Sequence, residues 1–375
     1  MTERRRLLRT VLDRLSQHNV HHRDKDERSI SRRIRIPADI RRVQDVLLRA
    51  GRNAVFKDIK RDFELNRFFV ISDELAADVL REVGKECGAT SFSAWCQTAC
   101  AWYLHQTPNQ AVKDKYLADI LQGKVLAGTG MSNTVKHLAG IEKHNLQAER
   151  VDGGYKVNGA LPWVSNIGED HIWANTAQIG DGYVMFITGG QWEGVTLQAC
   201  PEFCALEGTR TFSLNFKDVF IPDEDVIAAP EQFSDYIASI KSGFILLQIG
   251  IGAGVSDGSL GIIRIANVVN AEVNSYLDDG YDSLKAALDE AWQTTEQLAD
   301  LAWNNTPDNL ATLKLRAAAA ELTLAAAQSA ALHAGAKGYL MRSPAQRRVR
   351  EAMFVAIVTP ALKHLRKEIA ALEVA

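Results

Sequence analysis

The feature that most constrains the fold is a strand-and-turn segment, residues 125–232, enclosed by two stretches of helical periodicity. In it, AERV and YKVNG alternate polar and apolar residues on either side of an Asp-Gly-Gly turn, which predicts a hairpin. Four further glycine turns, from Gly180 to Gly208, separate short runs rich in β-branched and aromatic residues. Several strands at this spacing predict a small β-sandwich or barrel.

The flanking stretches predict an α+β protein of three domains. Residues 1–124 are expected to form an N-terminal helical domain, followed by the β domain and by a C-terminal helical domain over 233–375. Three long helical runs over 258–277, 283–303 and 309–335, with a fourth helix near Pro344, indicate a four-helix bundle in that last domain.

Composition excludes several classes of protein. The 375 residues carry 43 Lys and Arg against 46 Asp and Glu, so the net charge of -3 does not favour nucleic acid as a partner. We identify no apolar run of the ~18 residues that span a bilayer, so no membrane segment is expected. The first 42 residues are strongly basic, and we interpret them as a solvated helix face and terminus.

The cysteines and the start of the chain predict a cytoplasmic location. Five cysteines are an odd number, which does not favour a disulfide scaffold and indicates a reducing compartment. Cys96 and Cys100 are four residues apart in an apolar helical run, so we expect both to be buried and structural. The first twenty residues contain no continuous apolar stretch typical of a secretory signal.

Four collinear segments carry a resemblance to a known family. They are KYLADILQGKVLAGTGMSN, GGYKVNGALPWVSNIGEDHIWA, GTRTFSLNFKDVFIPDEDVI and HAGAKGYLMRSPAQRRVREAM. Together with the order helices, β domain and bundle, they resemble the acyl-CoA dehydrogenase family over residues 70–360. The resemblance includes the two-component flavin monooxygenases that share this fold, and it marks the chain as a divergent member.

The resemblance implies a flavoprotein that assembles as a homodimer or homotetramer. In the family, FAD lies between the β domain and the bundle, and its adenine end reaches toward a second subunit. Trp163 matches the tryptophan that packs on the isoalloxazine ring, and Ser165 replaces a threonine that contacts the flavin. Met131 and Ser132 would contact the flavin carbonyls through a backbone N–H and a hydroxyl. Gly335 retains one glycine of a cofactor-binding pair.

The adenine half of the implied site departs from the family pattern. The Gly-Ser-Asp expected after Thr134 is missing, and NAEVNSYLDDGYD has no arginine where the family pairs one with the FAD pyrophosphate. Acidic residues facing a diphosphate are unfavourable. The cofactor is therefore expected to be FAD, or else FMN or reduced flavin supplied by a partner reductase, unless flavin binding has been lost.

Neither family position for the catalytic glutamate holds an acid. Thr359 occupies the usual position and Ile251 lies closest to the alternative one. A threonine cannot act as the base near neutral pH. Asp257, two turns further along the chain, is a weak candidate that we expect to point elsewhere. We interpret Thr359 and Pro360 as the N-cap and first residue of a terminal helix.

Three functions are compatible with these residues. The first is a flavin-dependent oxidoreductase that dehydrogenates an acyl-CoA with an unrecognised base. The second is a two-component monooxygenase that takes reduced flavin from a reductase and oxygenates a small aromatic, amine or sulfur compound. The third is a non-catalytic binding or structural descendant that has lost the flavin. No motif in the sequence identifies the small-molecule substrate.

Overall fold

A computed structural model describes residues 73–374, with side chains from residue 76 onward. The basic N-terminal piece and most of the expected N-terminal domain lie outside the described residues. The described chain forms two compact units. The first holds residues 93–202 and 207–241, and the second holds residues 73–92, 203–206 and 242–374. The three-domain division made from composition stays a prediction.

The first unit contains a mixed sheet of eight strands. The strands are β1 Leu126–Thr129, β2 Leu146–Val151, β3 Gly154–Val164, β4 His171–Ile179, β5 Gly182–Gly189, β6 Val195–Ala199, β7 Phe212–Pro222 and β8 Val226–Ala228. Their order is β6-β7-β3-β2-β4-β5-β8, and β1 pairs with β4 in parallel. A short helix, α4 Ser132–Leu138, follows β1.

The predicted hairpin is confirmed. β2 and β3 pair antiparallel from Leu146 opposite Gly159 to Val151 opposite Gly154. Asp152 and Gly153 form the connecting turn, and the φ of Gly153 is +73°. A residue with a side chain is strained at such a φ, which explains the Asp-Gly pair.

One apolar core lies on the inner face of the sheet. Its residues include Val157 and Leu161 on β3, Phe186 on β5, and Leu214 and Phe216 on β7, all buried. β5 and β7 are separated by three strands in the sheet order, so the sheet must curl for them to share this core. This curling agrees with the expected small sandwich or barrel.

Eight longer helices accompany the sheet in the described part of the chain. They are α1 Asp73–Glu86, α2 Gly88–Gln106, α3 Gln110–Leu121, α5 Phe233–Asn274, α6 Tyr281–Trp303, α7 Asn309–Ala334, α8 Pro344–Ile357 and α9 Leu362–Val374. The predicted starts of α7 and α8 are confirmed. Asp308 caps α7 by accepting from the Ala311 N–H, and Pro344 follows the N-cap Ser343.

The first bundle helix, α5, is longer than predicted. It begins at Phe233, and its backbone is non-helical only at Asn270. Its first half contains the glycines of LLQIGIGAGVSDG, and the sequence there is a weak helix signal because glycine usually destabilises a helix. Here they permit close packing, since a Cβ on Gly254 would lie 2.4 Å from the Arg81 carbonyl oxygen of α1. The core of the second unit is built from apolar residues of α1, α5, α6 and α7.

Helix α5 also qualifies the expectation that no segment could span a membrane. Among the described residues it is the one helix long and apolar enough to cross a bilayer by length and composition. In its most apolar stretch, 78% is buried inside the protein. The core helix of a soluble protein has the same character, so α5 is weak support for a membrane span.

The buried positions of Cys96 and Cys100 on α2 are confirmed. Burial raises the pKa of the Cys100 thiol to about 12, and it raises the pKa of Cys96 as well. A thiol that remains protonated at neutral pH is a poor nucleophile. Both residues therefore act as small apolar side chains in the core.

Candidate functional site

The ends of β1 and β3, which carry four of the predicted cofactor residues, lie side by side in the first unit. The backbones of Thr129 and Ser165 form an isolated antiparallel bridge. Next to it, the Asn166 side chain donates to the Ala127 carbonyl over 2.8 Å. Gly128 allows this contact, because a Cβ there would lie 2.7 Å from the Ser165 carbonyl oxygen. The fold thus brings two distant segments together where the resemblance places the flavin.

Trp163 is the exposed aromatic residue of this meeting point. Its side chain is 60% exposed, although it lies near the end of a strand whose flanking residues Leu161 and Val164 are buried. The pairing of β3 with β7 is irregular between those two residues, so the ladder is interrupted at Trp163. An exposed indole at a strand end is suited to stacking on a flat ligand.

Ser165 belongs to a row of hydroxyl groups. Its Oγ lies 2.7 Å from Thr211 Oγ1, which lies 2.9 Å from the Oγ1 of the buried Thr209. A hydroxyl donates once and accepts twice, so Ser165 retains hydrogen-bonding capacity beyond this contact. Thr209 and Thr211, which precede β7, carry no functional signal in the sequence, because only the fold places them beside Ser165.

Met131 and Ser132 lie at the start of α4. Met131 is buried and precedes the helix, so its side chain is part of the core and only its backbone remains for a ligand. Ser132 is partly exposed. The predicted role of the Met131 N–H and the Ser132 hydroxyl is compatible with these positions and stays a prediction.

Helix α4 is held by two histidines. His137 Nε2 lies 2.8 Å from the Tyr183 hydroxyl, and its Nδ1 lies 2.9 Å from the Glu142 carbonyl oxygen. His144 Nε2 lies 3.3 Å from Thr134 Oγ1 of α4 and 3.0 Å from Thr176 Oγ1 of β4. Burial, with a smaller contribution from His137, lowers the pKa of His144. The structure therefore supports a structural role for His137 and His144.

Tyr103 on α2 holds the end of β1 in place through a hydrogen bond. Its hydroxyl lies 3.1 Å from Thr129 Oγ1, and its carbonyl accepts from the Tyr236 hydroxyl over 2.8 Å. The side chain is fully buried, and burial raises its pKa well above the usual value. Tyr103 carries no functional signal in the sequence, since an aromatic residue in an apolar helical run is typical of any core.

The remaining predicted residues belong to the second unit. Gly335 ends α7 with a φ of +59° and is exposed. That backbone conformation favours glycine whatever the residue binds. Asp257 is engaged with α1, because its carboxylate accepts from Arg81 Nε over 2.7 Å. This ion pair agrees with the expectation that Asp257 points elsewhere, and Ile251 is buried.

The interpretation of Thr359 as a helix cap is wrong. The terminal helix α9 begins at Leu362, and the backbone N–H groups of His364 and Leu365 bond to the Ala361 carbonyl. Thr359 instead lies in the loop before it, where its carbonyl accepts from Gln248 Nε2 over 2.8 Å. The cap was assigned from residue type, but an anchor on α5 fixes the loop.

No family model matches the chain. A 2-methylacyl-CoA dehydrogenase of Solanum tuberosum mitochondria is 27% identical over 183 residues, and a mitochondrial isovaleryl-CoA dehydrogenase of Arabidopsis thaliana is 25% identical over 183 residues. Each match covers 47% of this chain and 43% of the relative, so the chain matches under half of their length.

The fold matches solved structures over its whole length. Butyryl-CoA dehydrogenase of Megasphaera elsdenii superposes with a TM-score of 0.74 at 15% identity, covering 100% of this chain and 99% of that one. The chain has the acyl-CoA dehydrogenase fold, and about half of it is similar in sequence to members of that family. An FAD complex of PigA, with a TM-score of 0.69 at 14% identity over 92% of this chain and 99% of that one, shares the fold. The expected architecture is thereby confirmed.

Proposed function

We propose that this relative of the acyl-CoA dehydrogenases is a flavin-dependent oxidoreductase. The observation that carries the proposal is the exposed indole of Trp163 beside the bridged ends of β1 and β3. A PigA structure that contains FAD has the same fold, which supports FAD as the cofactor. The flavin would supply the redox chemistry, and the chain would bind and orient it.

Four residues of the first unit would hold the flavin. Trp163 would cover its ring, while the Ser165 hydroxyl, the Met131 N–H and the Ser132 hydroxyl would bond its polar edge. The exposure of Trp163 and the remaining capacity of Ser165 fit a flat ligand with hydrogen-bonding groups on its rim. Gly335 of the second unit stays in the proposed set through the resemblance.

Replacing Trp163 with Ala is expected to weaken flavin binding by roughly 1–3 kcal/mol, because a large aromatic contact is lost. That loss corresponds to a Kd about 5–150 times higher. Titration calorimetry with FAD and FMN, oxidised and, under anaerobic conditions, reduced, measures the Kd. Phe220→Ala is the matched control, since Phe220 is a half-exposed aromatic on β7 of the same sheet. Equal affinities for wild type and Trp163→Ala would contradict the site.

Two branches of this function remain, and the residues at the positions expected for the base favour the second. Acyl-CoA dehydrogenation needs a carboxylate within reach of the substrate α-carbon. Thr359, Ile251 and the ion-paired Asp257 do not provide one. Oxygenation of an aromatic, amine or sulfur compound by a two-component monooxygenase needs no such base. That branch requires a partner reductase in the same compartment, which we propose is the cytoplasm.

We also propose assembly into a homodimer or homotetramer through the second unit. Most of the alanines of α7 are buried within the unit, so they are not available for a subunit contact. The end of α5 instead presents an exposed apolar stripe of Ile265, Val268, Val269 and Val273, and the exposed Tyr276 follows the helix. Exposed apolar residues on one helix face are typical of protein interfaces.

Light scattering at micromolar concentration is expected to give the mass of a dimer or tetramer. The double variant Val268→Glu, Val269→Glu should shift it toward the monomer, because two charges would be buried in the contact. Leu372→Glu, at a half-exposed position on α9, is the control. A monomeric wild-type protein would contradict the proposal.

A further inference from the structure

The second unit contains a buried arginine with few partners. The Arg316 side chain on α7 is 1% exposed. Its Nε donates to Gln248 Oε1 over 3.2 Å, and its Nη2 donates to the Val355 carbonyl over 2.7 Å. Both acceptors are neutral, and the Val355 carbonyl lies in the last turn of α8. A guanidinium has five N–H donors, so most of its capacity remains unused.

No carboxylate of the described residues neutralises Arg316. Burial alone lowers the pKa of its guanidinium to about 10, so the group is charged at neutral pH. Arg348, a second buried arginine in this unit, pairs with Glu351 over 2.8 Å and donates to the Gly84 carbonyl over 2.9 Å. The contrast is informative, because buried charges in proteins are normally paired.

A second unsatisfied donor lies one helical turn away. Thr312 is buried, and its Oγ1 has no hydrogen-bond partner among the described residues. Thr312 and Arg316 are four residues apart on α7, so they share one face. Long side chains on a helix lean toward its N-terminus, which is the direction from Arg316 to Thr312. The Thr312 hydroxyl and the Arg316 guanidinium are therefore two buried donors with unused capacity on one face of α7.

We propose that Arg316 and Thr312 form a binding site for a small carboxylate inside the helical unit. A carboxylate supplies the missing negative charge, and its two oxygens accept in parallel from the edge of a guanidinium. Its size is limited to formate or acetate, or to the carboxylate end of a larger molecule, because Arg316 is almost entirely enclosed. This proposal does not depend on flavin binding.

The site is linked to the loop at the family base position. Gln248 accepts from Arg316 through Oε1 and donates through Nε2 to the Thr359 carbonyl over 2.8 Å. An anion that reorients the guanidinium would therefore act on this loop through one side chain. The second unit thus places a buried cation near the loop where the family has a catalytic carboxylate.

The test measures thermal unfolding of the full chain in sodium formate, sodium acetate and sodium chloride at equal ionic strength. A free carboxylate concentration ten times its Kd is expected to raise the Tm by about 2 °C for a chain of this length. Formate and acetate should produce this rise and chloride should not. Arg316→Met should abolish the rise, and Thr312→Val, which keeps the shape of the side chain, should reduce it.

Lys314→Met is the matched control, because Lys314 lies on the same helix, is half-exposed and carries the same charge. It should keep the full response to formate. Three results would overturn the proposal: no response of the wild-type protein to either carboxylate, an equal response to chloride, or an undiminished response in both Arg316→Met and Thr312→Val. The Thr312→Val variant keeps the test decisive if Arg316→Met fails to fold.

Discussion

Replacing Arg348 with Met is expected to lower the free energy of unfolding by about 3–5 kcal/mol. The guanidinium is buried and donates to Glu351 and to the carbonyls of Gly84 and Lys85 at the end of α1. Its loss would leave the Glu351 carboxylate buried without its cation. Glu351 also accepts from the Gly88 N–H over 3.0 Å, so the connection between α1 and α2 would weaken as well.

Urea unfolding followed by circular dichroism measures this effect. Arg347→Met is the control, because Arg347 is half-exposed and its Nε lies 3.7 Å from Glu351, too far for a hydrogen bond. We expect the loss of this longer contact to lower the free energy of unfolding by about 0–1 kcal/mol. Adding Glu351→Leu to Arg348→Met should recover part of the loss, since the unpaired carboxylate is then removed. A loss below 1 kcal/mol for Arg348→Met would contradict the importance of this pair.

Even when loaded with flavin, the protein is expected to be a poor acyl-CoA dehydrogenase. General-base catalysis typically contributes about 10²–10⁴ in rate, and the resemblance places Thr359 and Ile251 at the two family positions for the base. Asp257 cannot substitute while it is bound to Arg81. Anaerobic mixing with saturated acyl-CoA thioesters of several chain lengths, followed by the flavin absorbance, is the measurement.

Rapid bleaching of the flavin band would contradict this prediction, and Asp257→Asn would then identify or exclude that residue as the base. An absence of bleaching, together with substrate-stimulated oxygen use when reduced flavin is supplied, would favour the monooxygenase. The absence of both responses with flavin bound would favour a non-catalytic descendant. Thr359→Glu tests the alignment, since a carboxylate there should increase exchange of the substrate α-proton.

The sequence predicted those parts of the fold that depend on local rules. The β2–β3 hairpin followed from Asp152 and Gly153, and the start of α7 followed from Asp308, because turns and caps require particular residues. The full length of α5 did not follow from the helical run over 258–277, since the glycines of its first half are explained only by their close contact with α1. Thr359 was misassigned as a cap for a related reason, because its anchor, Gln248, lies 111 residues away.

The candidate site was predictable only in outline. Trp163, Ser165, Met131 and Ser132 came from the resemblance, and the structure brings their two segments together through the Thr129–Ser165 bridge. The supporting residues Tyr103 and Thr211 could not be predicted, because their contacts span 26 and 46 residues and depend on strand register. The unpaired charge of Arg316 was likewise invisible, since an arginine in a helix is normally exposed.

The visible absorption spectrum of the purified protein tests the central proposal most directly. We expect flavin bands in the protein as isolated or after addition of FAD, FMN or reduced flavin, with release of an intact flavin on denaturation. Trp163→Ala should lose most of this absorbance at micromolar concentration, whereas Phe220→Ala should retain it. A colourless protein that shows no spectral or thermal response to either flavin, oxidised or reduced, would contradict the assignment as a flavin-dependent oxidoreductase.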